Sequence, residues 1–105
     1  MPQNFDIDVT IDEGELVVRV AGDLDLSSRA KLVDEVSSPM AGSGVDSVAL
    51  DLGRVAFCDS SGLGALLDVR RAAGEAGVDL VLRNVPPSVA RLLDLTDVDG
   101  WLTRE

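Results

Sequence analysis

The stretch Ser47–Asn84, "SVALDLGRVAFCDSSGLGALLDVRRAAGEAGVDLVLRN", decides the fold. Its first part, "SVALDL" at 47–52, is apolar beyond Ser47 except for Asp51, the pattern of a strand buried on both faces. Its last part, "VDLVLRN" at 78–84, predicts the next strand. Between them Leu63, Leu66, Leu67, Arg70 and Ala73 recur at helical spacing, Ala76 lies near the end, and Gly77 stands where a helix stops. Strand, helix and strand in succession demand a parallel pair joined by a right-handed crossover. "GRVAFC" at 53–58 reads as a short segment leading from strand to helix.

The start of that helix breaks the rules of helix composition. "DSSGLG" at 59–64 crowds two serines and two glycines into the first turn, and each glycine costs about 1 kcal/mol relative to alanine. One of Asp59, Ser60 and Ser61 suffices to cap the helix. Three in a row leave at least one hydroxyl to face outward. Gly62 and Gly64 remove side chains beside it, which lets another protein's surface come close. A nucleophilic serine needs an adjacent base, and the chain has no histidine and a single lysine, Lys31. An exposed serine without a base is better suited as the substrate of a kinase, which brings its own.

Outside this unit, "FDIDVTI" at 5–11 alternates Phe5, Ile7, Val9 and Ile11 with Asp6, Asp8 and Thr10, a half-buried strand. "DEGE" at 12–15 is a turn and "LVVRVAG" at 16–22 a second strand, so the two predict a hairpin. A helix follows, with Ser27 as its N-cap, Ala30, Val33 and Val36 on one face, and its end before Pro39. "PPSVARLLDL" at 86–95 predicts a last helix started by prolines, and "TDVDGWL" at 96–102 a turn and short final element. The expected fold class is α/β: a small mixed, mostly parallel sheet with an N-terminal antiparallel hairpin and helices packed on it, in a single domain over 1–105.

Composition narrows the function. With 105 residues, 46% of them hydrophobic, the chain has enough apolar material for one core. Its aromatics are Phe5, Phe57 and Trp101 alone, so the core is aliphatic. A formal net charge of −10 repels nucleic acid and anionic membrane and favours a partner with a basic or neutral surface. One cysteine, Cys58, excludes an internal disulfide and packs as a small apolar residue beside Phe57. No long apolar run or leader pattern is present, from which a cytoplasmic protein is expected. Without histidine, His-based catalysis, His phosphorelay and most zinc sites are excluded, and a non-enzyme without cofactor is expected.

In an open α/β sheet, binding residues gather beyond the carboxyl ends of the strands. Asp23 and Asp25 in "GDLD" follow the second strand and Asp59 follows the third, so one rim should carry all three. Their spacing matches no metal-ligand pattern. Asp51 resembles a receiver-domain phospho-aspartate only in position, since no lysine follows the last strand; it is expected to cap the turn after its strand.

The run "VALDLGRVAFCDSSGLGALLDVRRAA", with "VAGDLDLSS" before it and "PPSVARLLDLTDVDGWL" after it, resembles the STAS domain in its single-domain form, the anti-sigma factor antagonist. Cys58 departs mildly, standing where that family usually has an apolar residue. The resemblance implies that Ser60 is the acceptor of a phosphate from an anti-sigma factor with GHKL-type serine kinase activity. It further implies that the unphosphorylated form binds that partner and frees a sigma factor, and that a PP2C-type phosphatase restores the modified form. The expected partner surface comprises Asp23, Leu24, Asp25, Asp59, Ser60, Ser61, Gly62, Leu63 and Gly64, and a monomer is expected. An alternative within the same fold is an accessory STAS subunit of a transporter or stress-signalling complex that does not use the serine.

Overall fold

Seven elements follow one another in the computed structural model, which describes residues 4–42, 44–96 and 102–105. They are β1 (Phe5–Asp12), β2 (Glu15–Leu24), α1 (Leu26–Met40), β3 (Ser47–Cys58), α2 (Ser60–Ala76), β4 (Asp79–Arg83) and α3 (Pro87–Thr96). The strands form one sheet in the order β1-β2-β3-β4, with β1 antiparallel to β2 and the remaining pairs parallel. The mixed sheet, the hairpin at its edge and the βαβ units are those expected from the residue pattern.

The hairpin turns on Glu13 and Gly14, both at positive φ (49° and 83°), between the paired residues Asp12 and Glu15. Two such residues in a two-residue loop match the right-handed twist of the strands. Strand order follows chain order from β2 to β4, so right-handed crossovers put α1 and α2 on the same face of the sheet. That face is the core: Leu16, Val18, Val20 and Leu24 of β2 and Val48, Leu50 and Leu52 of β3 are fully or almost fully buried against the helices. α2 contributes Leu63, Ala65, Leu66, Val69 and Ala73, and α3 contributes Val89 and Leu93. Alternate residues of the strands face the other way. There Arg19 pairs with Asp8, and Arg83 reaches Glu15 at 3.0 Å and Glu105 at 2.7 Å. The two carboxylates hold the Arg83 guanidinium charged, raising its pKa, Glu15 first.

Four local expectations are corrected. β3 does not end at Leu52; "GRVAFC" continues it to Cys58. β3 spends two extra residues opposite β2, at the register shifts between Arg19 and Ala21 and between Gly22 and Asp23, which hid its continuity from periodicity. Asp51 therefore caps no turn after the strand. Its carboxylate accepts from Gly53 N–H at 2.9 Å and from Asn84 Nδ2 at 3.1 Å, bracing the first irregularity. α1 is capped by Asp25, not Ser27, and its buried stripe is Ser28, Leu32, Val36 and Met40, with Ala30 exposed. A serine in first place disguised that stripe. Finally, α1 runs through Pro39 to Met40, the proline removing one N–H donor from the last turn without ending the helix before it. Of the expected final element, residues 97–101 lie outside the described residues; Leu102 is buried and Arg104 bridges Leu82 in parallel.

Candidate functional site

The last residues of β2 and β3, Leu24 and Cys58, are paired, so the helix starts that follow them lie side by side. Each is capped by an aspartate. Asp25 Oδ1 accepts from Ser27 N–H at 3.0 Å and from the Ser27 hydroxyl at 2.6 Å. Ser28 completes the capping box, its hydroxyl accepting from Asp25 N–H at 3.0 Å. The same hydroxyl donates to the Asp23 carbonyl at 2.9 Å, which ties the helix start to the strand end. The Ser27 hydroxyl first, with the backbone donors, holds the Asp25 carboxyl below its ordinary pKa.

Asp59 caps α2, accepting from Gly62 N–H at 3.0 Å. Its own N–H donates to the Leu24 carbonyl at 3.3 Å, pinning the β3–α2 junction to the end of β2. Gly62 makes this junction close. A Cβ there would collide with the Leu24 carbonyl and lie 2.8 Å from Cys58 Sγ. Cys58 is half-buried, and burial first, then the Asp59 charge, pushes its thiol up to about 11. A thiol so protonated at neutral pH is a packing residue, not a reactive one.

With Asp59 serving as cap, both serine hydroxyls are released from that duty. Ser60 is exposed and Ser61 half-buried, and among the described residues neither side chain has a hydrogen-bond partner given by the geometry. The expected rim forms as well: Asp23, Asp25 and Asp59 stand at the carboxyl ends of two adjacent strands. Their carboxylates are separately engaged, Asp23 with Asn4 Nδ2 at 2.9 Å and the other two with their helices.

The expected partner surface needs correction in three places. Leu24 is wholly buried, Gly62 is buried, and Leu63 is 6% exposed, so none of the three offers surface to a docking protein. They shape the rim from beneath. Gly64 is half-buried under a neighbour of this same chain, since a Cβ there would lie 2.5 Å from Arg29 Nη1 and 2.7 Å from its Cζ. Both glycines therefore clear room within the fold.

Two apolar residues that sequence reasoning missed do face outward here. Leu26, the first residue of α1, is 73% exposed, and Phe57, next to the end of β3, is 50% exposed. Leu26 falls off the buried stripe of α1, and that was the available signal. Phe57 was masked by reading 53–58 as a connection.

A family model described as "Mlab, STAS domain" matches residues 7–104, nearly the whole chain. The chain belongs to the STAS domain family. Among its relatives is an anti-sigma-B factor antagonist of Bacillus subtilis (strain 168), 32% identical over 93 residues, which cover 89% of this STAS domain and 84% of the relative. A solved structure of an anti-sigma factor antagonist from Mycobacterium paratuberculosis superposes with a TM-score of 0.81 at 26% identity, covering 99% of this chain and 87% of that one. The Bacillus cell fate determinant SpoIIAA, solved in its phosphorylated form, shares the fold with a TM-score of 0.71 at 21% identity, covering 96% of this chain and 90% of that one. In this STAS domain no helix among the described residues is long and apolar enough to cross a membrane.

Proposed function

We propose that this STAS domain is an anti-sigma factor antagonist, a non-enzymatic binding module switched by phosphorylation of Ser60. The observation that carries the reading is the exposed Ser60 hydroxyl at the start of α2, freed from capping by Asp59 and set on a junction pinned to β2. The relatives named as antagonists of anti-sigma factors support the role, and a fold neighbour solved in a phosphorylated form supports the mode of control. The partner is an anti-sigma factor with GHKL-type serine kinase activity, and a PP2C-type phosphatase acts on the modified form.

Phosphorylation adds about −1.5 to −2 charges to a rim that already carries Asp23, Asp25 and Asp59. A partner carboxylate about 6 Å from the phosphate meets repulsion of about 3 kcal/mol per unit charge at an effective dielectric near 20. That corresponds to roughly a hundredfold in affinity. The start of a helix tolerates an anion, so the fold survives and the switch works by charge and bulk.

Incubation with the cognate kinase and ATP, followed by mapping of the phosphate, tests the reading. Label on Ser60 is expected; label on Ser61, or none, overturns the site. Ser60→Ala should bind the partner constitutively and Ser60→Asp weakly. Retrieval of a membrane ATPase in place of a kinase would favour the accessory-subunit alternative.

A further inference from the structure

Arg29 of α1 lies across α2 and pairs through Nε with Asp68 Oδ2 at 2.9 Å. Its guanidinium occupies the space left by the missing side chain of Gly64, whose built Cβ would lie 2.5 Å from Nη1 and 3.0 Å from Nη2. Ser60, Gly64 and Asp68 succeed one another at intervals of four, so they form one stripe along α2. Arg29 sits at the middle of that stripe, between the acceptor hydroxyl and the carboxylate it now holds. Side chains four apart on a helix have Cβ atoms about 5–6 Å from each other, so the guanidinium lies one helical turn from Ser60.

We propose that Arg29 is the intramolecular receptor for the phosphate of modified Ser60, its guanidinium exchanging Asp68 for the phosphomonoester. This rests on the reading of Ser60 as the modified residue. Three features carry it. Only Nε is engaged with Asp68, and both terminal nitrogens lie over Gly64, the position of the stripe between Asp68 and Ser60. Asp68 is also held by Arg71 Nη1 at 3.4 Å, so releasing Arg29 does not leave the carboxylate unpaired. A phosphate offers more charge than a carboxylate and accepts from guanidinium in a bidentate fork. The glycine at 64 is then a requirement of this exchange: it gives Arg29 a path along α2 that any side chain would obstruct. In the modified state Arg29 holds the phosphate down on α2, where it covers the surface that the partner needs.

The test installs phosphoserine at position 60 during translation, with no kinase involved. The phosphate is titrated by ³¹P NMR in the parent and in Arg29→Gln, and the Arg29 Nε–H signal is followed by ¹⁵N spectra. Asp23, Asp25 and Asp59 raise the phosphate's second pKa equally in both proteins, so the difference between them isolates Arg29. The parent should titrate lower than Arg29→Gln by about half a unit or more, and the Arg29 signal should move on modification and return when a phosphatase removes the group. Equal titrations, or an Arg29 signal unmoved by the phosphate, would overturn the inference. Because the phosphate is placed chemically, that result leaves the kinase-mapping experiment, and hence the reading of Ser60, to stand or fall separately.

Discussion

Gly62 of α2 packs directly beneath the Leu24 carbonyl of β2, with no room for a single added carbon, while two residues on Gly64 has the end of the Arg29 side chain as its nearest cover. The two glycines of one motif therefore answer to different neighbours: one to backbone, the other to a flexible side chain.

Alanine at the two positions should give opposite results. Gly62→Ala forces backbone apart and should destabilise by about 1–3 kcal/mol, as overpacking does. Gly64→Ala displaces only the end of Arg29 and gains helix propensity of about 1 kcal/mol, so it should be neutral or stabilising. Urea denaturation of both variants decides it; equal losses would show that the glycines serve the same purpose. Under the exchange proposed for Arg29, Gly64→Ala should also blunt the dependence of the Ser60 phosphate titration on Arg29.

Leu26 and Phe57 should anchor the partner. Both are large, apolar and exposed, Leu26 at the start of α1 and Phe57 next to the end of β3, and neither is part of the core. Leu26→Ala and Phe57→Ala should each weaken anti-sigma factor binding by about tenfold or more, the cost of about 1.4 kcal/mol or more expected of a buried interface anchor. The thermal midpoint should stay unchanged. Calorimetric titration against the partner measures the first and a melting curve the second; unaltered affinity would remove these residues from the interface.

Cys58 should make the fold sensitive to alkali. Its thiol titrates near 11 in the folded chain against an ordinary 9.0. In the unfolded chain it loses its proton first. Its stabilising contribution is therefore complete below pH 9 and declines as pH rises toward 11. Cys58→Ala should flatten that part of the stability profile. Alkylation of native protein at pH 8 should run about a hundredfold slower than that of the denatured chain, as a shift of about two units implies.

Asp25 should act at the opposite end of the pH scale. Its folded pKa lies below the ordinary 3.8, so the cap stabilises above that value and is lost as pH falls through the folded one. Asp25→Asn retains an oxygen acceptor for Ser27 N–H and carries no titrating charge. Its denaturation midpoint should vary less with pH below about 5 than that of the parent. Parallel profiles would place the acid sensitivity elsewhere.

The amino-acid sequence by itself determined the order of elements, the antiparallel hairpin and the parallel βαβ units, because alternation in Phe5–Ile11 and the helical spacing from Leu63 to Ala73 are local signals. It also placed the rim, since strand ends and helix starts follow from that order. Tertiary structure decided the rest. The continuation of β3 to Cys58 depends on pairing between β2 and β3, whose partners lie about thirty residues apart in the chain. Which serine faces outward depends on how α2 is rotated, and that rotation is set by Gly62 against Leu24. The purpose of Gly64 depends on Arg29, an element away. Periodicity and capping are read along the chain, but close approach between elements is a property of packing, and at this site it is packing that leaves Ser60 in the open.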